Sequence, residues 1–182
     1  MATPTLTTAN VVKRLSQAVA NSQLGNAVRA LLADVVTDVT YLTPAIVDCT
    51  ASTLTVSATT HGNKTVTLNR AAGIAVTLPA ATGTGNVYRF YVGTTFTGDA
   101  SFVTTGGDIL SGTALLYQDS ADTCVGFATA ADTIRLDMFD TGNTTGGLKG
   151  AHAVFTDVAT DLWHVHYVSD AAGTEATPFK NA

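Results

Sequence analysis

Apolar and polar positions along the chain follow two different periods. Between Asn10 and Leu32 the apolar residues fall at helical spacing. Val11, Val12, Leu15, Ala18 and Val19 recur behind Asn10, a good capping residue, and the pattern fails around Ser22 to Gly25. A second short helix is expected with Asn26 as its cap and Val28, Leu31 and Leu32 as its stripe. Helices of this length are marginal in water, so their stripe must rest on the body of the same chain, a neighbouring copy or a foreign surface. Met1 to Asn10 includes Pro4 and has little to bury, and is expected to order only against a partner.

From Val35 onward the period changes to two, the signature of strands. Leu54, Val56 and Ala58 alternate with Thr53, Thr55 and Ser57. Val66 and Leu68 alternate with Thr65 and Thr67, and Ile74, Val76 and Leu78 alternate with Ala75 and Thr77. Each block presents one apolar and one Thr-rich face. Turn chemistry separates them at His61-Gly62-Asn63, at Asn69 to Gly73 and at Pro79 to Gly85. Further strands are expected near 87–92, 101–105, 114–118, 123–129, 133–139, 151–156 and 162–168. Breakers at such short intervals predict a mainly β protein whose antiparallel sheets form a β-sandwich or jelly-roll-like body. The starts of the three Thr-rich blocks are unequally spaced, which argues against a β-solenoid. The expected organisation is an arm with short helices over 1–35, serving docking or oligomerisation, and a β-sandwich body over 36–182.

Composition supports the β reading and narrows the partners. The chain has 182 residues, with 33 Thr and a single Glu, Glu175, so it lacks the Glu- and Lys-rich surface of a helical protein. The formal charge of −5 disfavours nucleic acid and anionic membranes as partners, since both demand Lys and Arg to meet phosphate. That charge is divided unevenly. Residues 1–33 carry Lys13, Arg14 and Arg29 and no acid, whereas the remainder holds six basic against fourteen acidic residues. Such a basic arm on an acidic body points to docking, although a solvated basic helix face would read the same way. Lys13 and Arg14 are followed by a stretch too polar for a secretory signal core, and the Gly- and Pro-broken stretch from Ala71 to Tyr88 does not read as a membrane helix.

Candidate chemistry is sparse. His164 and His166 share one strand face opposite Trp163, Val165 and Tyr167, and an H-x-H pair of this kind chelates metals when His152 or Asp157 completes the set. A polar strand face beside an aromatic core face is the stronger reading, with Trp163 a core or subunit-interface anchor. Asp132, Asp137 and Asp140 near Thr141-Gly142-Asn143 lack the alternate carboxylates and closing Glu of a calcium loop, and read as turn chemistry. Thr82-Gly83-Thr84-Gly85-Asn86 contains G-x-G, but a strand follows it where a phosphate cradle needs a helix, so it reads as a turn. No Ser lies in a nucleophile elbow, and Cys49 and Cys124 read as buried free thiols. Asn63-Lys64-Thr65 and Asn143-Thr144-Thr145 match the glycosylation pattern, a chance-prone signal in a Thr-rich chain. No enzyme activity and no cofactor is expected.

The body from about Thr65 carries a further signal. Its parts are Val66-Thr67-Leu68-Asn69-Arg70, then Gly73-Ile74-Ala75-Val76-Thr77-Leu78-Pro79-Ala80-Ala81-Thr82-Gly83-Thr84-Gly85, and the aromatic strand Tyr88-Arg89-Phe90-Tyr91-Val92-Gly93. The stretch from Gly150 to Val165 and the close Ala176-Thr177-Pro178-Phe179 complete it. In this the chain resembles bacteriophage virion proteins, in particular the capsid decoration (cement) proteins and fibre-like adhesins of tailed phages. The resemblance implies a trimeric β-sandwich on the outer surface of the head, bridging neighbouring major capsid proteins, with the chain itself and the major capsid protein as partners. The docking residues expected on that view are Lys13, Arg14 and Arg29, with Val11, Leu15, Val19, Leu31 and Leu32 as the apolar stripe. The alternative is a head- or tail-fibre module that recognises host glycans through exposed aromatics such as Tyr88, Tyr91 and Trp163.

Overall fold

The chain divides into two units, Met1–Thr43 and Pro44–Ala182. The computed structural model describes residues 45–118, 122–140 and 142–181, together with Lys13 and Gln17. The helices expected behind Asn10 and Asn26 therefore lie outside the described residues, except that Lys13 and Gln17 are both exposed.

The alternating Thr and aliphatic residues of the second unit fold almost wholly as strands, because branched side chains pack well on a pleated surface. In chain order these are β1 (Ile46–Cys49), β2 (Thr53–Thr55), β3 (Thr65–Leu68), β4 (Ala75–Thr77), β5 (Val87–Val92) and β6 (Ala100–Val103). They continue as β7 (Ile109–Gln118), β8 (Thr123–Ala128), β9 (Arg135–Phe139), β10 (His152–Ala159), β11 (Leu162–Asp170) and β12 (Phe179–Lys180). Between β2 and β3 lies a single helical turn, α1 (Ala58–His61). It opens at Ser57, whose side chain accepts from the Thr60 N–H at 3.3 Å and whose own N–H donates to His61 Nδ1 at 3.0 Å. That turn removes Ala58 from the strand expected there.

The strands build two sheets, one of seven in the order β1-β3-β5-β10-β11-β7-β8 and one of five in the order β12-β9-β6-β4-β2. Both are mixed, which corrects the expectation of antiparallel sheets and of a jelly roll. Strands β1, β3 and β5 pair in parallel, as do β2, β4 and β6, and so do β7 and β11. The remaining pairs are antiparallel. The cause is a winding path: from β1 to β6 each strand crosses to the other sheet, so every return lands beside the strand two earlier and runs the same way. The solenoid-like winding that unequal block spacing argued against is thus present locally. Ile46 pairs with Thr65 and Thr65 with Arg89, steps of 19 and 24 residues, and the connecting turns absorb the difference.

One core joins the sheets. Phe102 of the five-stranded sheet lies 4.7 Å from Phe90 and 4.8 Å from Phe155 of the seven-stranded sheet, ring centroid to ring centroid. Trp163 is fully buried and meets Tyr88 edge-on at 5.5 Å, the geometry that aromatic quadrupoles favour. Trp163 is therefore a core residue. Tyr167, on the same strand, places its hydroxyl 3.1 Å from the carbonyls of both Met138 and Thr145, and burial drives its pKa far upward. This ties the segment after β9 down onto β11.

The two cysteines are free, Cys49 buried and Cys124 exposed, so the expectation of two buried thiols holds only for Cys49. Cys124 is exposed because β8 is an edge strand and the residue alternates outward there. The strands that carry them form opposite edges of the seven-stranded sheet. Six interstrand steps of about 4.8 Å put them too far apart to be bridged within one molecule.

Candidate functional site

Two features of the body stand out, a carboxylate cradle and a sheet face. The cradle forms where the loop after β4 passes over the end of β10. Asp157 is 3% exposed, and its Oδ1 accepts the N–H of Thr82 at 2.9 Å and of Gly83 at 2.7 Å. Its Oδ2 accepts the Thr84 N–H at 3.0 Å, the Thr84 hydroxyl at 2.6 Å and, more weakly, the Thr82 hydroxyl at 3.4 Å. Successive backbone N–H groups converging on one anion make a nest. Gly83 permits it with φ +76°, and a Cβ there would come within 3.3 Å of Ala159 Cα. Burial pushes the Asp157 carboxyl upward, but the donors from Thr84, Gly83 and Thr82 outweigh it and hold the group below the usual carboxylate range. The G-x-G segment is a turn, as its following strand indicated, yet it does cradle an anion, and that anion is the chain's own. A carboxylate so saturated and so acidic makes a poor proton shuttle near neutral pH.

Asp140 repeats the logic on a smaller scale. It accepts from the Thr144 N–H at 2.9 Å, the Thr144 hydroxyl at 2.7 Å and the Gly142 N–H at 3.3 Å. Its pKa ends below normal because those bonds overcome the upward push of burial. Asp137 instead pairs with Arg135 at 2.5 Å and sits above the ordinary value, since burial outweighs the Arg135 charge. Asp132 is exposed. These three carboxylates do separate work in turns and on β9, and among the described residues no group of three or more His, Cys, Asp or Glu side chains forms a metal-holding cluster.

The sheet face is the outer side of the seven-stranded sheet. Strand register runs a continuous row across it: Asp48, Thr67, Tyr91, His152, Val168, Leu115 and Gly126 stand side by side. The next row carries Ile46, Thr65, Arg89, Val154, His166, Thr113 and Ala128. His164 and His166 point outward, and Trp163, Val165 and Tyr167 are fully buried, as alternation required. His152 stacks on Tyr91, with ring centroids 5.5 Å apart and planes 21° from parallel. His166 Nδ1 lies 3.4 Å from the Thr113 hydroxyl.

Of the expected docking residues, Val11, Arg14, Leu15, Val19, Arg29, Leu31 and Leu32 lie outside the described residues, and Lys13 is exposed. Of the three aromatics expected to meet glycans, Tyr88 and Trp163 are buried at 1% and 0% exposure, which corrects their assignment to the surface, while Tyr91 is 40% exposed. Sequence reasoning passed over Leu115 and Tyr117, which are 41% and 43% exposed on β7. Their signal was in the run Ala114-Leu115-Leu116-Tyr117, where apolar residues occupy both faces of one strand although only one face has a core to enter. Comparison of the chain with protein-family models, with curated proteins and with solved structures finds no significant match.

Among the described residues no helix is long and apolar enough to cross a membrane.

Proposed function

We propose that the chain is a non-enzymatic structural protein of a tailed-phage virion: a capsid decoration (cement) protein whose β-sandwich body sits on the outer surface of the head as a homotrimer. On this reading it stabilises the shell by bridging neighbouring major capsid proteins, with the basic arm docking through Lys13, Arg14 and Arg29. The observation that carries it is a broad, nearly charge-free sheet face with exposed apolar residues on an otherwise acidic body, the kind of surface that repeated contacts in an assembly use. The sequence style of the body supports the choice of assembly. No cofactor, nucleic acid or membrane enters the proposal.

The test is co-sedimentation of the full chain with purified undecorated heads. Saturable binding of the wild type, weakened at least tenfold by the triple charge reversal K13E/R14E/R29E, is the expected result. Binding that ignores the charge reversal removes the arm from the mechanism, and no binding to any head removes the decoration role. A second reading, a fibre module for host glycans, is favoured by Tyr91, a half-exposed ring already stacked on His152 as a flat platform. Glycan-array binding lost in Tyr91→Ala, without affinity for heads, would select it.

A further inference from the structure

The exposed large hydrophobic side chains of the described body are not scattered. Ile46 at 74%, Tyr91 at 40%, Leu115 at 41% and Tyr117 at 43% all stand at outward positions of the seven-stranded sheet, and Val158, at 47%, belongs to its strand β10. None lies on the five-stranded sheet, whose outer positions are filled by residues such as Thr53, Thr55, Thr77 and Arg135.

Charge is distributed in the opposite sense. Beyond residue 33 the chain carries fourteen acidic against six basic residues. The outer positions of the seven-stranded sheet hold only Asp48 and Asp170 against Arg89 as fully charged groups. Two bodies so acidic repel each other, but across this face, with two acids against one base, that repulsion is small. A foreign partner recognising an acidic body would be expected to meet carboxylates, and this face offers few. The size is also adequate. Seven strands span roughly 29 Å, and about six residues along each give roughly 20 Å, a projected area of roughly 600 Å². Accessible area exceeds projected area, so the face approaches the roughly 800 Å² per partner of a standard interface.

We infer that the outer face of the seven-stranded sheet is the self-association surface, covered by another copy of this chain. The inference rests on the self-association in the reading above and assigns it a surface. Leu115 lies in one row with Val168, His152 and Tyr91, two strand steps from His152 and three from Tyr91, and with Tyr117 on the same strand these residues form the apolar stretch of the face, beside the neutral hydroxyls of Thr67 and Thr113.

Sedimentation equilibrium of the full chain tests it, with Leu115→Asp, Tyr91→Lys and, on the opposite sheet, Thr77→Asp, each checked for wild-type circular dichroism. The wild type associates, L115D and Y91K each raise the dissociation constant about tenfold or more, and T77D leaves it within about twofold. If the wild type associates and neither face variant changes the constant, the surface is misassigned while self-association stands. If the wild type is monomeric at every concentration, self-association itself fails. If L115D keeps its oligomeric state but loses binding to undecorated heads, the face meets the shell instead of a copy, and the inference is overturned.

Discussion

Removing the Asp157 carboxylate tests the most specific structural claim about the body. Asp157→Ala deletes the acceptor for the N–H groups of Thr82, Gly83 and Thr84 and for two Thr hydroxyls. Hydrogen bonds to a charged group contribute roughly 1.5–3 kcal/mol each. The five share one anion and do not add. Thr82, Gly83 and Thr84 are themselves exposed, so part of their loss is recovered from water. A cost of about 3 kcal/mol results, which for a domain of this size lowers Tm by roughly 10–15 °C. Asp157→Asn keeps the shape but turns an NH₂ group toward donors, and about 2 kcal/mol is expected. The pH dependence follows from the depressed pKa. The folded state binds the Asp157 proton less readily than the unfolded state, so the stabilisation is complete above the ordinary value of 3.8 and is lost as pH falls through the lower folded value. Urea unfolding at pH 7 and at a series of acid pH values measures both effects. A D157A midpoint shift worth less than about 0.5 kcal/mol, or an acid profile that D157N leaves unchanged, would refute the reasoning.

Three further outcomes are expected. In Gly112→Ala the new Cβ would lie 1.8 Å from the Val165 carbonyl oxygen across the parallel β7–β11 pair, so about 3 kcal/mol or more of stability should vanish, and a loss under about 1 kcal/mol in urea would show the pair can spread. Burial first, and then the Lys64 charge, lower the His61 pKa. Its neutral form is therefore favoured on folding, and stability should decline as pH drops below 6.5, a slope that His61→Gln should remove in pH-dependent melts. With a thiol-reactive dye, Cys124 should label within the native protein and Cys49 only after denaturant is added, so equal rates for the two would contradict the burial assigned to Cys49.

Which residues face the core was legible from alternation, because a strand's period is independent of its partner. Trp163, Val165 and Tyr167 are buried and His164 and His166 exposed, and the same holds for Val66, Leu68, Ile74, Val76 and Leu78 among their Thr neighbours. Pairing was not legible. Short strands and frequent breakers suggest hairpins, yet β1 to β6 carry no two-residue hairpin turns, and their breakers instead carry the chain across to the other sheet. The coils have unequal length because residues 50–52 join β1 to β2 whereas 69–74 join β3 to β4, while the return connections 56–64, with α1, and 78–86 match, so no repeat period survives in the sequence. β1 and β12 escaped notice because Ile46-Val47-Asp48-Cys49 does not alternate apolar with polar residues and the two residues Phe179-Lys180 establish no period.

The G-x-G segment shows where local chemistry ends and tertiary context begins. Glycine at a positive-φ position, flanked by Thr, creates a run of N–H donors whether or not a helix follows, and such a run favours an anion. The missing helix marked the segment as a turn, and its donors are met by Asp157. The sequence could not identify that acceptor, because Asp157 lies 73 residues beyond Thr84 and reaches it only through the β5–β10 pairing. The same pairing holds Thr156 against Val87, which fixes the next residue, Asp157, at the loop. The cradle and the outer face are thus two products of one register: inward at Asp157 it closes the body with an internal ion, and outward at His152 and Val154 it lays down the flat rows of the outer face. A register shift of one residue in β10 would exchange these two sets, exposing Phe155 and Asp157 and burying His152 and Thr156, so the cradle also acts as the pin that holds His152 and Val154 outward.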